Sequence, residues 1–308
     1  MTQTQWTIRK LIDWMVSFFT EKGIDSPRLT ADLLLSHTLE MKRIELYMHF
    51  DKVLDPDSLA KLRDLVKRCS QHEPYAYLIG RTEFYSLQIN VNKDCLIPRP
   101  ETELLVEHAI EFLRTKTDKK TPKKICDLCT GSGCIAIAIA KNFKDCSVIA
   151  TDICDKALSI AAQNIEYHNL TDKIELLQGD LFEPIIHGLD DDKFDLIVSN
   201  PPYISESEMQ LLQPNVKDHE PEKALYGGVD GFDIYERIIE QIPNHLAEDG
   251  ALMMEIGYKQ AAGIKELLAP IFKYITIEKD ISDNDRIVIA SNKAIKAYVP
   301  TQPQEPTA

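Results

Sequence analysis

From about residue 121 onward, short apolar runs alternate with amphipathic stretches of helical period, and few folds accommodate that rhythm. Strands are expected over 125–128, 148–150, 174–177, 196–198, 251–256, 274–278 and 286–290, and helices over 135–141, 157–168, 234–245 and 260–268. Such alternation gives an α/β fold, a mostly parallel sheet covered by helices on both faces. No helix separates the last two strands, which are therefore expected as an antiparallel hairpin at one edge.

In a sheet of this kind, ligands gather in the crevice at the carboxyl ends of the strands. Asp127-Leu128-Cys129-Thr130-Gly131-Ser132-Gly133 joins the first strand to its helix, and its small residues let backbone N–H groups approach a ligand. Asp152 ends the second strand, where a carboxylate can accept from a ribose hydroxyl pair. Gly179-Asp180 closes the third, within reach of an adenine amino group. Two cofactors fit so far. Gly131-Ser132-Gly133-Cys134-Ile135-Ala136 satisfies a dinucleotide fingerprint, with Asp152 in place for NAD, although glycines alone are weak evidence. S-adenosylmethionine is the alternative, because Asp127 ahead of the loop suits its cationic sulfonium and amino groups better than a diphosphate.

The fourth strand ends in Asn200-Pro201-Pro202-Tyr203. That strand is expected beside the first, so the tetrapeptide opens onto the same crevice. An amino group conjugated to a carbonyl or a ring is a poor nucleophile, since its lone pair is delocalised. To react, it must be held by acceptors on its two N–H bonds while the lone pair faces the electrophile. The Asn200 side-chain oxygen and the Pro201 carbonyl can be those acceptors, and Tyr203 can pack on the flat target. Proline fixes φ and brings no competing N–H. Acceptor dipoles so placed stabilise the positive charge that develops on nitrogen. A strand-ending turn would also explain an isolated Asn-Pro, but a dehydrogenase has no use for the whole tetrapeptide, which favours S-adenosylmethionine.

The first seventy-odd residues have a different character. Ile8, Leu11, Ile12, Met15 and Phe19 recur at helical spacing, as do Leu59, Leu62, Leu65 and Val66. Ser26-Pro27 and Asp55-Pro56 each place a capping residue before a first-turn proline. This stretch reads as a small bundle that serves as a scaffold or docking surface. Tyr85, Leu87, Ile89 and Val91 then alternate as a strand of a hairpin.

These stretches together resemble the peptide-chain release factor glutamine methyltransferases, of the HemK or PrmC type, within the class I S-adenosylmethionine-dependent methyltransferases. The resemblance also rests on Glu73-Pro74-Tyr75-Ala76-Tyr77-Leu78-Ile79-Gly80, on Leu96-Ile97-Pro98-Arg99-Pro100-Glu101-Thr102-Glu103, on Glu220-Pro221 with Ala224-Leu225, and on Gly228-Val229-Asp230-Gly231. It spans about residues 5–292. It implies a Rossmann-like seven-stranded methyltransferase sheet over 101–293 and a helical domain over 1–74 that docks the release factor. By composition, 75–100 reads as an ordered connector with a β-hairpin and the Pro/Gln-rich tail over 294–308 as disordered. The implied substrate is the glutamine of the Gly-Gly-Gln loop of bacterial class 1 release factors, methylated on its side-chain nitrogen and gripped by Asn200, Pro201, Pro202 and Tyr203. Gly131, Gly133, Asp152 and Leu181 are implied to bind the cofactor, with Asn200 touching both cofactor and substrate. The family usually has glycine where Cys129 stands and often an aromatic where Leu181 stands. A Cβ at 129 makes left-handed backbone costly, so a slightly reshaped loop is expected.

Arg99 either positions the substrate loop or belongs to a stiff turn before a helix start. Glu255, at the end of the fifth strand, is a weaker candidate, and Asp283-Asn284-Asp285 reads as a turn. Cys126 and Cys129 have C-x-x-C spacing, but Cys126 falls inside a strand, so packing is favoured over redox or metal chemistry. Seven cysteines and a polar start without a leader pattern read as a reduced, cytoplasmic protein, taken as a monomer. Of the net charge of −14, residues 1–75 carry none, and the remainder holds 24 basic against 38 acidic groups. This disfavours the nearest alternative, an N6-adenine methyltransferase of nucleic acid, because duplex binding draws on lysine and arginine. No membrane span is expected.

Overall fold

A computed structural model describes residues 5–116, 122–185 and 193–295. The start of the expected polar terminus (1–4) and the expected disordered tail from 296 on lie outside the described residues. The chain forms two compact units. One comprises residues up to 82 with 91–93 and 212–220, and the other comprises 83–90, 94–211 and 221 onward. Residues 75–100, expected as a connector, are thus divided between the two. Among the described residues no helix is long and apolar enough to cross a membrane.

The helical unit contains α1 (Ile8–Glu21), α2 (Pro27–Leu39), α3 (Arg43–Met48), α4 (Pro56–Cys69) and α5 (Tyr75–Ile79). The apolar stripe of α1 is buried in full, against Ala31, Leu34 and Leu35 of α2 and Leu62, Leu65 and Val66 of α4. Asp55 caps α4, its Oδ1 accepting from Ser58 N at 2.9 Å. Ser26 does not cap α2 as expected. Its φ of 46° is left-handed and its side chain makes no cap bond, whereas a side-chain cap needs extended backbone at that residue.

The second unit takes in β1 (Arg81–Phe84), which begins in the first, and β2 (Leu87–Asn90). Their turn is Tyr85-Ser86, with φ of 51° and 58°. Tyr85 therefore belongs to the turn and not to the expected strand, because a two-residue hairpin loop needs left-handed backbone at both positions. Then follow α6 (Glu103–Thr115), β3 (Lys123–Leu128), α7 (Cys134–Asn142), β4 (Cys146–Asp152), α8 (Asp155–Tyr167), β5 (Ile174–Gln178) and β6 (Phe194–Ser199). The short α9 (Glu206–Met209) and α10 (Pro214–Lys217, in the segment that joins the helical unit) precede α11 (Asp233–His245), β7 (Leu246–Glu255), α12 (Ala261–Leu268), β8 (Tyr274–Lys279) and β9 (Asp285–Ser291).

The described strands β3–β9 make one seven-stranded sheet in the order β5-β4-β3-β6-β7-β9-β8. β5 through β7 run parallel, while β9 and β8 are antiparallel, as the missing helix between them requires. β3 and β6 are central and almost wholly buried, which is why they read as continuous apolar runs. β8, at the edge, alternates between half-buried and exposed residues. α7 is buried from Cys134 to Ala140.

Asn164, fully buried on α8, ties the hairpin to the first loop. Its Oδ1 accepts from Asn90 N at 2.8 Å, and its Nδ2 donates to Asn90 O at 3.0 Å and to Ser132 O at 2.9 Å. Asn164→Ala removes the side-chain partner of three backbone groups, one buried and two half-buried. It is expected to destabilise the protein by roughly 3 kcal/mol, measured by urea denaturation.

Candidate active site

Parallel pairing sets Leu128 beside Ser199 and Leu128 beside Thr151. The loop after β3 therefore starts between the ends of β4 and β6. Ser199 Oγ donates to the Leu128 carbonyl at 2.8 Å and joins the two strand ends. Gly131 and Gly133 have φ of 56° and 79°, as the tight turn demands. A Cβ at Gly133 would lie 3.2 Å from that of Ala161, so glycine there also lets α8 approach, whereas nothing lies within 4 Å of a Cβ at Gly131. The open side of the loop is at Gly131. Cys129 has φ 57°, so the chain accepts left-handed backbone at a residue with a Cβ, at a cost of about 1 kcal/mol. Burial pushes the thiols of Cys126 and Cys129 well above their ordinary value, so neither is a ready thiolate.

The acidic residues have distinct roles. Asp127 is fully buried, and its Oδ2 accepts from Thr130 Oγ1 at 2.6 Å and Ala136 N at 3.2 Å. Thr130 thus turns inward, and Ser132 is buried with it. Asp127 Oδ1 has no hydrogen-bond partner among the described residues. Burial pushes this carboxyl up to about 7, the charge of Asp152 adds to the shift, and the two hydrogen bonds oppose it. An orphaned carboxylate oxygen is satisfied by a cationic or N–H-bearing ligand group. Asp152 ends β4 with Oδ2 accepting from Gly131 N at 2.8 Å and Oδ1 from Cys154 N at 2.9 Å, and burial raises its pKa.

Asp180, expected toward an adenine amine, pairs through Oδ2 with Arg237 at 2.5 Å. Leu181 has φ 53°, and its side chain is 5% exposed and packs in the core.

Asn200 follows β6 directly. Its Nδ2 donates to Thr102 Oγ1 at 3.2 Å, Thr102 Oγ1 donates to Glu255 Oε2 at 2.6 Å, and Tyr203 OH donates to Glu255 Oε1 at 3.1 Å. Among the described residues no donor reaches Asn200 Oδ1 or the Pro201 carbonyl. Burial raises the Glu255 carboxyl, while Thr102, Arg286 and Tyr203 pull it back. Burial likewise raises the Tyr203 phenol, Glu255 adds to this, and the charges of Arg286 and Arg99 oppose it.

Below the tetrapeptide, Gln260 Nε2 donates to Tyr203 O at 3.0 Å and Gly231 O at 3.1 Å. A Cβ at Gly227 would come within 2.6 Å of Tyr203 Cα, and one at Gly231 would strike the Tyr203 carbonyl. These contacts explain glycines in a stretch that has no chemistry of its own. Sequence reasoning missed Thr102, Gln260 and Arg237. The sole signal for Thr102 was its place in the Pro-Arg-Pro-Glu-Thr-Glu stretch.

The PrmC N-terminal domain family matches residues 10–80, and the methyltransferase small domain family matches 102–217. The release factor glutamine methyltransferase of Rhodopirellula baltica is 42% identical over 92% of this chain and 96% of its own length. That of Bacillus subtilis is 38% identical over 92% and 97%. Among solved structures, the human Mettl16 catalytic domain in complex with an RNA hairpin superposes with a TM-score of 0.53, at 18% identity, over 81% of this chain and 87% of that one, which shows the fold alone.

Asp127 also has a consequence for stability. Folded, it keeps its proton to about 7, against an ordinary 3.8, so the folded state binds more protons across that interval. The stability it contributes is full below about 3.8 and is lost as pH rises through about 7. Asp127→Asn removes this titration. Urea denaturation should show the variant gaining on wild type by roughly 2–4 kcal/mol between pH 5 and pH 8, and a pH-independent difference would contradict the assignment.

Proposed function

The chain belongs to the release factor glutamine methyltransferase family, and from that premise we propose that it methylates the side-chain amide nitrogen of the glutamine in the Gly-Gly-Gln motif of class 1 peptide-chain release factors, with S-adenosylmethionine as methyl donor. The observation that carries this reading is the pair of unengaged acceptors, Asn200 Oδ1 and the Pro201 carbonyl, beside the loop that follows β3.

When bound, the cofactor supplies a methyl group made electrophilic by a positively charged sulfur. The chemistry of the site fits it: Asp127 Oδ1 offers a buried, unpaired carboxylate oxygen to its cationic end. In this reading the backbone of 129–133, Asp152, and the turn of Asp180 and Leu181 hold the remainder. NAD fits less well. A pyrophosphate would need the Gly131 N–H, and the Asp152 carboxylate already holds it at 2.8 Å.

Asn200 and Pro201 accept the two N–H bonds of the glutamine amide, and this turns the nitrogen lone pair toward the methyl group. Orientation of this kind contributes up to about 7–11 kcal/mol of the barrier. Positive charge that grows on the amide nitrogen during transfer would be stabilised by the two acceptor dipoles of Asn200 and Pro201. The methylated nitrogen then loses a proton to water, so no general base of tuned pKa is required. Pro202 and Tyr203 wall the site, and Arg99 steadies the incoming loop.

The helical domain is the docking surface in this reading, supported by its zero formal charge and by Ile44 and Met48 of α3, which stand 65% and 71% exposed. A substrate from the translation machinery places the enzyme in the cytoplasm, where we take it to act as a monomer. The acidic balance of residues 76 onward speaks against the nucleic-acid alternative.

Mass spectrometry of a class 1 release factor incubated with the enzyme and cofactor should find one added methyl group, on the Gly-Gly-Gln peptide. Transfer to DNA alone would overturn the assignment. Asn200→Ala should lower kcat by on the order of 10²–10³ while cofactor affinity by calorimetry changes little. Near-native turnover would refute the acceptor mechanism.

A further inference from the structure

Asn200 can accept only if its amide is the right way round. A side-chain amide has nearly the same shape at both ends and opposite function: the oxygen accepts and the NH₂ donates. What Thr102 presents to Asn200 therefore decides which atom faces the crevice.

The hydroxyl of Thr102 has one proton, and Glu255 determines where it goes. Thr102 Oγ1 lies 2.6 Å from Glu255 Oε2. Against its burial, the hydrogen bonds from Thr102 and Tyr203 and the Arg286 charge favour the ionised form of Glu255. A carboxylate only accepts, so in that form the Thr102 proton points at Glu255 and lone pairs remain toward Asn200, 3.2 Å away. Turned over, the Asn200 amide would set Oδ1 against an oxygen with no proton to give. The second oxygen of Glu255 takes the Tyr203 hydroxyl at 3.1 Å. Glu255 is 1% exposed and Thr102 2%, so water does not offer a substitute partner. Tyr235 OH, donating to the Glu255 backbone carbonyl at 3.0 Å, holds the strand end that carries the carboxylate.

We propose that Thr102 and Glu255 are positioning residues that lock the Asn200 side-chain amide with Oδ1 facing the reacting nitrogen, through a one-way chain of donation from Asn200 to Thr102 to Glu255. The proposal rests on the reading of Asn200 as the acceptor of the substrate amide. It gives a purpose to the threonine of the Pro-Arg-Pro-Glu-Thr-Glu stretch, whose hydroxyl joins Asn200 to Glu255. It also explains a buried carboxylate at the end of β7 that no step of the reaction uses as acid or base.

Thr102→Val keeps the shape and removes the hydroxyl, and Thr102→Ala repeats the test without the second methyl group. Thr102→Ser restores the hydroxyl. With full-length enzyme, S-adenosylmethionine and purified release factor, Thr102→Val and Thr102→Ala should each lower kcat about tenfold. KM for the release factor and cofactor Kd should stay within about twofold, and Thr102→Ser should recover most of the loss. Combined with Asn200→Ala, Thr102→Val should cost almost nothing further, because it acts through the residue already removed. The proposal falls if Thr102→Val retains native kcat, if Thr102→Ser is as impaired as Thr102→Val, or if Thr102→Val costs the same factor in both backgrounds. Wild-type turnover is the common control: its absence on every release factor would remove the functional reading and this proposal together, while a normal wild type with any of those three outcomes removes the proposal alone.

Discussion

The parallel pairing of β3 with β6 is the constraint on which the rest of the structure depends. Leu128 stands beside Ser199, and the Ser199 hydroxyl closes the gap between them, so the cofactor-type loop and the Asn-Pro-Pro-Tyr turn leave the sheet as neighbours. Two segments separated by about seventy residues of chain become the two walls of one crevice. Both strands are apolar and buried, which makes a slip in their register costly.

Around that pairing the protein accumulates acceptors and holds back donors. Asp127 leaves one carboxylate oxygen without a partner, and Asn200 and Pro201 leave two more oxygens without donors among the described residues. A buried acceptor such as Asp127 Oδ1 is destabilising unless something completes it, and in the proposed reading a cationic cofactor and a planar NH₂ complete these oxygens. The glycines at 227 and 231 and the amide of Gln260 belong to the supporting structure, since they press and tether the tetrapeptide's backbone from behind.

Much of this was legible in the sequence, for physical reasons. Central parallel strands are apolar throughout, so β3 and β6 announce themselves, and the alternation with helices fixes the sheet type. Asn200 to Tyr203 stood out because two prolines after a buried strand demand an explanation. What was not legible depends on contacts distant in sequence or on backbone geometry. Thr102 meets Glu255 across 153 residues, and no local pattern encodes that contact. Arg237, which pairs with Asp180 from 57 residues on, carries no signal of its own. Ser26 has the composition of a cap, yet its left-handed backbone withholds the side chain. Tyr85 fits a strand by alternation and turns out to be half of a two-residue turn.

The most direct test of the central claim is a crystal structure of the enzyme with the demethylated cofactor and a release factor bound. The glutamine amide nitrogen should lie about 3 Å from both Asn200 Oδ1 and the Pro201 carbonyl, with its remaining face toward the cofactor's sulfur. A glutamine held by other groups, with those two oxygens solvated or bonded elsewhere, would contradict the account.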